Sequence, residues 1–424
     1  YMNYSDPSAL GIIACPGGEH FADLVLHRLN GIYRKRFNKK VQMLIDRYNM
    51  TREKAFETLN LHNDLEARQL YVSQDIHKYK PQKLKVHTRF SYFANGEIKA
   101  EILDSIRGKD IYIFQDIENH QPVRFNDGKD LQKLTINDHI FCLFTAIDAA
   151  VQSGAGRISL VLPTYPYSRQ HKKKGREGLT AARFGQIVEF FGVARIITLD
   201  IHSREIENCF NKLRLENLHA SFQIIETLNS IVDLRHEDIV VVAPDTGAVD
   251  RNKFYASTLQ KPLALLYKER DYSRVGKSAS ESNITEMKLL GDVRGKTVFM
   301  ADDMLGTGGT ILKAMKYLRE LGVAKIICAV SLPLFSSTAI EDFDKAYQEG
   351  YFYKIIGTNA IHHGKLLEKS WYIEADITSL FAQIISSVHD NRSVSSLLDN
   401  REQIVKKLQK SMGTTEPEQP TLPF

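Results

Sequence analysis

Short apolar runs rich in valine and isoleucine punctuate this chain. They read DIYIFQD at 110–116, RISLVLP at 157–163, RIITLDIH at 195–202 and DIVVVAPD at 238–245. Further on come LALLYKE at 263–269, TVFMADD at 297–303 and KIICAVSLP at 325–333. Each reads as a strand. Between them lie segments such as LTAARFGQIVEFFG (179–192) and GTILKAMKYLRELG (309–322). Their apolar residues recur three and four positions apart, which lines one face of a helix. Strand and helix in alternation predict an α/β fold with mostly parallel sheets covered by helices.

The pattern also repeats. RGKDIYIFQD at 107–116 is echoed by RGKTVFMADD at 294–303, and GVARII at 192–197 by GVAKII at 322–327. Echoes in one register point to two related α/β domains, expected at 1–218 and 219–398, with a helical extension and disordered tail at 399–424. Residues 31–86 break the alternation. They are charged, helix-prone and without strand signals, so a helical insertion in the first domain is expected. Its cluster Arg34, Lys35, Arg36, Lys39 and Lys40 fits a solvated helix face better than a nucleic-acid surface.

Composition narrows the class. At 424 residues the chain is long enough for two or three domains, each with its own core. A formal charge of +5 is small for that length, and no nucleic-acid partner is expected. Cys15, Cys142, Cys209 and Cys328 lie far apart without a CxxC pair, as reduced thiols do. No apolar run approaches the ~20 residues of a membrane span. The opening YMNYSDPSAL lacks the basic-then-apolar order of a signal peptide. A cytoplasmic protein with no membrane partner is therefore expected.

The densest chemistry lies in TVFMADDMLGTGGTIL, 297–312. A strand that ends in a Gly/Thr turn and opens a helix aims backbone N–H groups at one point, and the helix dipole favours an anion there. Gly306, Gly308 and Gly309 permit close approach, and Thr307 and Thr310 add hydroxyl donors. Asp302 and Asp303, just upstream, suit neutral hydroxyls or a divalent cation. A pentose 5-phosphate carries vicinal hydroxyls at one end and phosphate at the other, so it satisfies both halves. Two commoner phosphate motifs are excluded. GDVRGKT (291–297) is one residue short of a Walker A loop and precedes its strand, and no GxGxxG follows any strand.

VFMADDMLGTGGT resembles the phosphoribosyl-pyrophosphate (PRPP) signature shared by type I phosphoribosyltransferases and PRPP synthetases. Four stretches favour the synthetases: TYPYSRQHKKKGREGLTAARFG (164–185), TLDIHSREIENCF (198–210), APDTGAVDR (243–251) and LLYKERDYSR (265–274). RFSYFANGEIKAEILDSIRGKDIYIFQ (89–115) resembles the family segment that reaches a neighbouring subunit's ATP site. The resemblance implies two phosphoribosyltransferase-like domains and transfer of the pyrophosphoryl group of MgATP to O1 of ribose 5-phosphate. It implies Lys268 and Arg270 as catalytic residues, and Asp302, Asp303 and the 306–310 turn as the ribose-phosphate site. Phe93, Asn95, Glu97, Arg169, Gln170 and His202 match ATP-binding positions; His202, Asp200 and Asp245 match metal-facing ones, with Mg²⁺ as the cofactor. A homo-oligomer with a shared ATP site follows from the 93–97 segment.

The chain also departs from the family pattern. Gly306 and Asp250 stand where the family usually has aspartate and lysine. Lys174 and Asn211 occupy frequently acidic positions, and CPGGEH (15–20) replaces a Gly-Ser-Ser-His opening. These departures keep open a catalytically silent regulatory or scaffolding relative as the alternative.

Overall fold

The predicted runs assemble into two separate sheets. The computed structural model describes residues 9–66, 75–173, 175–270 and 284–411; the side chains of 66, 268–270, 284–286 and 408–411 lie outside that set, as does Lys174. Two compact units result. Unit 1 holds Tyr1–Leu218, Asn359–His362 and Asp376–Leu398; unit 2 holds His219–Thr358, His363–Ala375 and Asp399–Phe424. The units thus exchange short segments that a single cut at residue 218 would leave in sequence.

Unit 1 is built on five parallel strands in the order β1 (Leu10–Ala14), β4 (Asp110–Phe114), β7 (Arg157–Val161), β8 (Arg195–Leu199) and β9 (Arg214–Leu218). Two antiparallel hairpins, β2 (Thr88–Tyr92) with β3 (Ile98–Ile102) and β5 (Val123–Phe125) with β6 (Asp130–Gln132), precede α3 (Ile136–Gln152). Helix α3 begins in a reciprocal capping box between Thr135 and Asp138. With α4 (Thr180–Phe190) it contributes to a core that includes Ile111, Ile113, Leu143, Ile147, Phe184 and Val188. Strand β4 is buried along its whole length. This is why its sequence is a continuous apolar run instead of an alternation.

The insertion begins inside a helix. α1 spans Glu19–Tyr48 and buries every fourth residue from Phe21 through Val25, Leu29, Tyr33 and Phe37 to Val41. Its first half packs on α10 (Thr378–His389), where Phe21 meets Phe381 edge-on at 5.1 Å. Its second half pairs with α2 (Arg52–Glu66), closing a small separate core of Phe37, Val41, Ala55 and Phe56. Asn49, left-handed at φ 53°, ends α1. Arg36 binds Asp390 and Arg34 lies over the Tyr79 ring, so part of the basic cluster is structural. The end of this segment is not helical. Ile12 donates to Leu84 O at 2.7 Å and Val86 donates to Ile12 O at 2.8 Å, which adds a short bridge to the edge of β1.

Unit 2 has seven strands in the order β12, β11, β10, β13, β14, β15, β16. They are β10 (Ile239–Ala243), β11 (Leu263–Arg270), β12 (Ile284–Leu290), β13 (Thr297–Met304), β14 (Lys325–Leu332), β15 (Lys354–Thr358) and β16 (Tyr372–Ala375). All pair in parallel except β12, which runs antiparallel to β11. Helices α5 (Ser221–Ile231), α6 (Val249–Leu259), α7 (Gly309–Glu320), α8 (Ala339–Gln348) and α9 (Gly364–Leu367) connect them. The core packs Met300, Ile311, Met315, Phe343 and Trp371. α11 (Ser395–Leu398) belongs to unit 1, and α12 (Arg401–Ser411) belongs to unit 2, where Lys407 pairs with Glu226 of α5. Among the described residues no helix is long and apolar enough to cross a membrane.

Candidate active site

In unit 2 the chain goes from β10 outward to β11 and then returns to the other side of β10 as β13. That reversal leaves a crevice at the carboxyl ends of β10 and β13, where open α/β sheets bind ligands. The acids predicted from sequence lie there: Asp245 just past β10, and Asp302 and Asp303 among the last residues of β13.

The acid pair is held by its own backbone. Asp303 N–H donates to Asp302 Oδ1 at 2.9 Å, and Met304 N–H donates to Asp303 Oδ1 at 2.8 Å. Asp245 Oδ1 accepts from Ala248 N–H at 3.1 Å and so opens the short helical turn Thr246–Ala248. Burial, then the Asp303 charge, then more weakly that of Asp245, push the Asp302 carboxyl up to about 7. Three acids crowded in this way gain by taking hydroxyl donors or a cation.

The phosphate-binding prediction falls on the turn that follows. Gly308 is left-handed at φ 71°, and a Cβ there would stand 2.3 Å from the Phe343 ring. Only glycine fits. No side chain caps α7 at Gly308. The first N–H groups of the helix, from the exposed Gly309 and Thr310 onward, therefore lack intrahelical partners and point outward. On its other side the turn is anchored: Leu305 N–H donates to Leu332 O at 3.0 Å, and Ser336 N–H donates to Gly306 O at 3.2 Å. Exposed Thr307 crowns it.

Lys268 and Arg270 end β11, which extends one residue beyond the predicted run and carries a bulge between Glu269 and Arg270. Their side chains, and residues 271–274 of the same motif, lie outside the described residues. β12 was not anticipated. Its partly buried Met287 and Leu289 pack on the core while Leu290 is exposed, the alternation of a strand covered on one face.

Unit 1 assembles the nucleotide candidates at the carboxyl ends of β7 and β8. After β7 the chain turns through Tyr165, buried with its hydroxyl on Ala181 O at 2.9 Å, and Tyr167, left-handed at φ 55°. Gln170 N–H closes the turn on Tyr167 O at 2.7 Å, leaving Arg169 and Gln170 exposed. After β8, Asp200 is buried and left-handed at φ 40°, its N–H on Leu218 O at 2.8 Å. The next turn presents His202, whose ring meets His171 at 5.3 Å. The Arg169 turn and His202 are thus brought together. Glu118, after β4, joins them: burial raises its carboxyl and the Arg169 charge opposes the rise. Sequence reasoning passed over Glu118, although it follows a strand in FQDIENH. Phe93, Asn95 and Glu97 form the exposed tip of the β2–β3 hairpin, closed by Phe93 N–H on Glu97 O at 2.9 Å and Glu97 N–H on Asn95 Oδ1 at 3.2 Å.

Comparison with known proteins decides among families that use such turns. Residues 67–192 match the N-terminal domain of ribose phosphate pyrophosphokinase, and residues 213–354 match the phosphoribosyl transferase domain. Ribose-phosphate pyrophosphokinase 1 of Listeria monocytogenes is 33% identical over 316 residues, 73% of this chain and 88% of that one. The chain belongs to the ribose-phosphate pyrophosphokinase family. A ribose-phosphate pyrophosphokinase of Mycoplasma pneumoniae is 31% identical over 338 residues, 79% of this chain and 94% of its own. The crystal structure of PRPP synthetase from Mycobacterium smegmatis superposes with a TM-score of 0.65 at 25% identity, covering 90% of this chain and 99% of that one. Family membership settles the fold as two phosphoribosyltransferase-type α/β domains. The departures at Gly306 and Asp250 sit within this ribose-phosphate pyrophosphokinase frame: Gly306 keeps its place in the anchored turn, and Asp250 falls in the first turn of α6, where an acid suits the helix dipole.

Proposed function

We propose that this protein is a catalytically active PRPP synthetase. O1 of ribose 5-phosphate attacks the β-phosphorus of ATP, the bond from that phosphorus to the α,β-bridging oxygen breaks, O1 loses its proton, and PRPP and AMP result. The observation that carries this reading is the pairing of an acid-lined crevice with an uncapped helix start behind left-handed Gly308. Asp302 and Asp303 accept the ribose hydroxyls, and residues 306–310 take the 5-phosphate. Arg169, Gln170 and His202 bind ATP, with Phe93, Asn95 and Glu97 supplied by a second copy in a homo-oligomer. Lys268 and Arg270 stabilise charge on the transferred group, since phosphoryl chemistry rests on positioning and electrostatics.

Among the described residues no three His, Cys, Asp or Glu side chains form a ready metal cage. Mg²⁺ keeps its waters and binds through one or two carboxylates together with substrate phosphates. His202 and Asp200 in unit 1 would hold such a cation, Asp245 in unit 2 would face another, and each would neutralise phosphate charge. The four cysteines form no disulfide, as in a reducing compartment that supplies ATP, and we assign the protein to the cytoplasm.

The test is AMP formation from MgATP with and without ribose 5-phosphate, for the wild type and Lys268→Ala. Sugar-dependent AMP that is lost in the variant is the expected result. A folded wild type that binds ATP yet forms no AMP would sink the enzyme reading in favour of a silent regulatory subunit.

A further inference from the structure

We propose that Asn252, fully buried and one residue past the APDTGAVDR motif, is a positioning residue that sets the spacing of the two acid-bearing segments across the unit 2 crevice. The inference rests on the ribose-phosphate reading of Asp302 and Asp303.

The backbone creates the need. β10 and β13 pair at Ile239↔Thr297, Val240↔Val298 and Val241↔Phe299, and the pairing stops there, although β13 runs on to Met304. On its other side β13 stays paired with β14 through Asp302↔Val330 and Met304↔Leu332. The sheet therefore opens on the β10 side, which makes the crevice. Thr297 N–H bonds to Asp238 O on that side. Ala301 has the same parity along the strand, so its N–H and C=O also face the opening, with no β10 partner in register.

Asn252 supplies both missing bonds. Its Oδ1 accepts from Ala301 N–H at 2.9 Å, and its Nδ2 donates to Ala301 O at 2.8 Å. One carboxamide thus continues the ladder one step past the last paired residue. The second Nδ2 proton goes to Ala248 O at 2.8 Å. Ala248 is the residue whose N–H holds Asp245, and Ala301 immediately precedes Asp302. A single side chain on α6 therefore fastens the Asp245 turn to the Asp302 strand. Few side chains replace it. Aspartate has no amide protons, glutamine is a methylene too long, and alanine leaves the Ala301 groups buried without partners.

Loosening such a support by a fraction of an ångström weakens binding at the groups it holds. The experiment measures KM for ribose 5-phosphate, KM for ATP, kcat and melting temperature for the wild type, Asn252→Ala and Asn252→Ser. The expected result is a rise of roughly tenfold or more in KM for ribose 5-phosphate, with KM for ATP within about twofold. Ribose 5-phosphate would also raise the melting temperature less in the variants than in the wild type, while ATP raises it equally. Unchanged sugar KM in a folded variant, or equal losses for both substrates, overturns the proposal. If Asn252→Ala does not fold, Asn252→Ser decides by the same two outcomes. A wild type without sugar-dependent AMP formation would instead count against the parent reading, so the two failures are distinguishable.

Discussion

The strands β4 and β13 lie in decapeptides that share an Arg-Gly-Lys opening and a terminal aspartate, yet they finish in opposite ways. β4 runs into Asp116, which is buried and accepts from Glu118 N–H at 3.0 Å; burial pushes its carboxyl up to about 8. Beside it, Gln115 donates to Pro16 O at 3.0 Å and faces His139 Nδ1 at 3.0 Å. His139 Nε2 lies 3.1 Å from Asn119 O, which assigns the proton to Nε2. The Gly-Gly turn nearby is filled from within, because Gly17 N–H donates to Glu19 Oε2 at 2.6 Å at the start of α1. β13 runs into Asp302 and Asp303, only partly buried, and then into a glycine turn that no side chain caps. The lesson is that a strand ending in an acid is scaffold. Whether it becomes a binding site depends on whether the neighbouring turn keeps its N–H groups for a ligand or gives them to its own carboxylate.

The largest effect expected from breaking this contrast comes from Gly308→Ala, which adds a Cβ into Phe343 at a left-handed position. Sugar-dependent AMP formation should fall by roughly a hundredfold or more. The matching change Gly17→Ala, also left-handed and 2.8 Å from Asn119 and His139, should lower the melting temperature while the folded enzyme keeps its sugar KM. Equal loss of sugar affinity in both would erase the distinction between the two turns. Next in size, Asp302→Asn with Asp303→Asn should cut kcat/KM for ribose 5-phosphate by about tenfold or more, whereas Asp116→Asn should leave it within about twofold; steady-state kinetics checks both.

The smallest expected effect is on stability. An unfolded aspartate titrates near ~3.9, and Asp116 in the fold titrates near 8. Between those values the unfolded chain has lost a proton that the native protein keeps, so Asp116 increasingly opposes folding as pH rises, and the effect levels off above 8. Asp116→Asn, which keeps an acceptor for Glu118 N–H, should therefore gain stability at pH 9 and little at pH 4. Denaturant melts at the two pH values measure it, and a gain independent of pH would mean that the carboxyl is not the cause.

Legibility followed the strength of the local signal. Buried parallel strands such as IVVVA at β10 announce themselves because both faces are covered. ITEMKLL at β12 does not, since it alternates and carries charge, and only its pairing with β11 makes it a strand. Lys85 entered the sheet edge from a segment read as helical, because two backbone hydrogen bonds to Ile12 outweigh a charged local composition. The acid pair and glycine turn were legible as chemistry because adjacent residues carry them. Glu118 was not, since its relevance comes from Arg169, which lies on a different strand's turn.

What the sequence by itself determined is whatever neighbours along the chain can settle: the strand runs, the helix faces, the Asp302–Thr310 turn and the motifs that mark the family. Tertiary structure alone decided which strand end stays open. Gln115 reaching Pro16, Asn252 spanning from Ala248 to Ala301, and the return of α10 to the first unit all join residues whose hydrogen bonding or packing depends on where the fold carries them. Local propensity sets the elements, but a buried polar group must find its partner in three dimensions, and that requirement fixed the site.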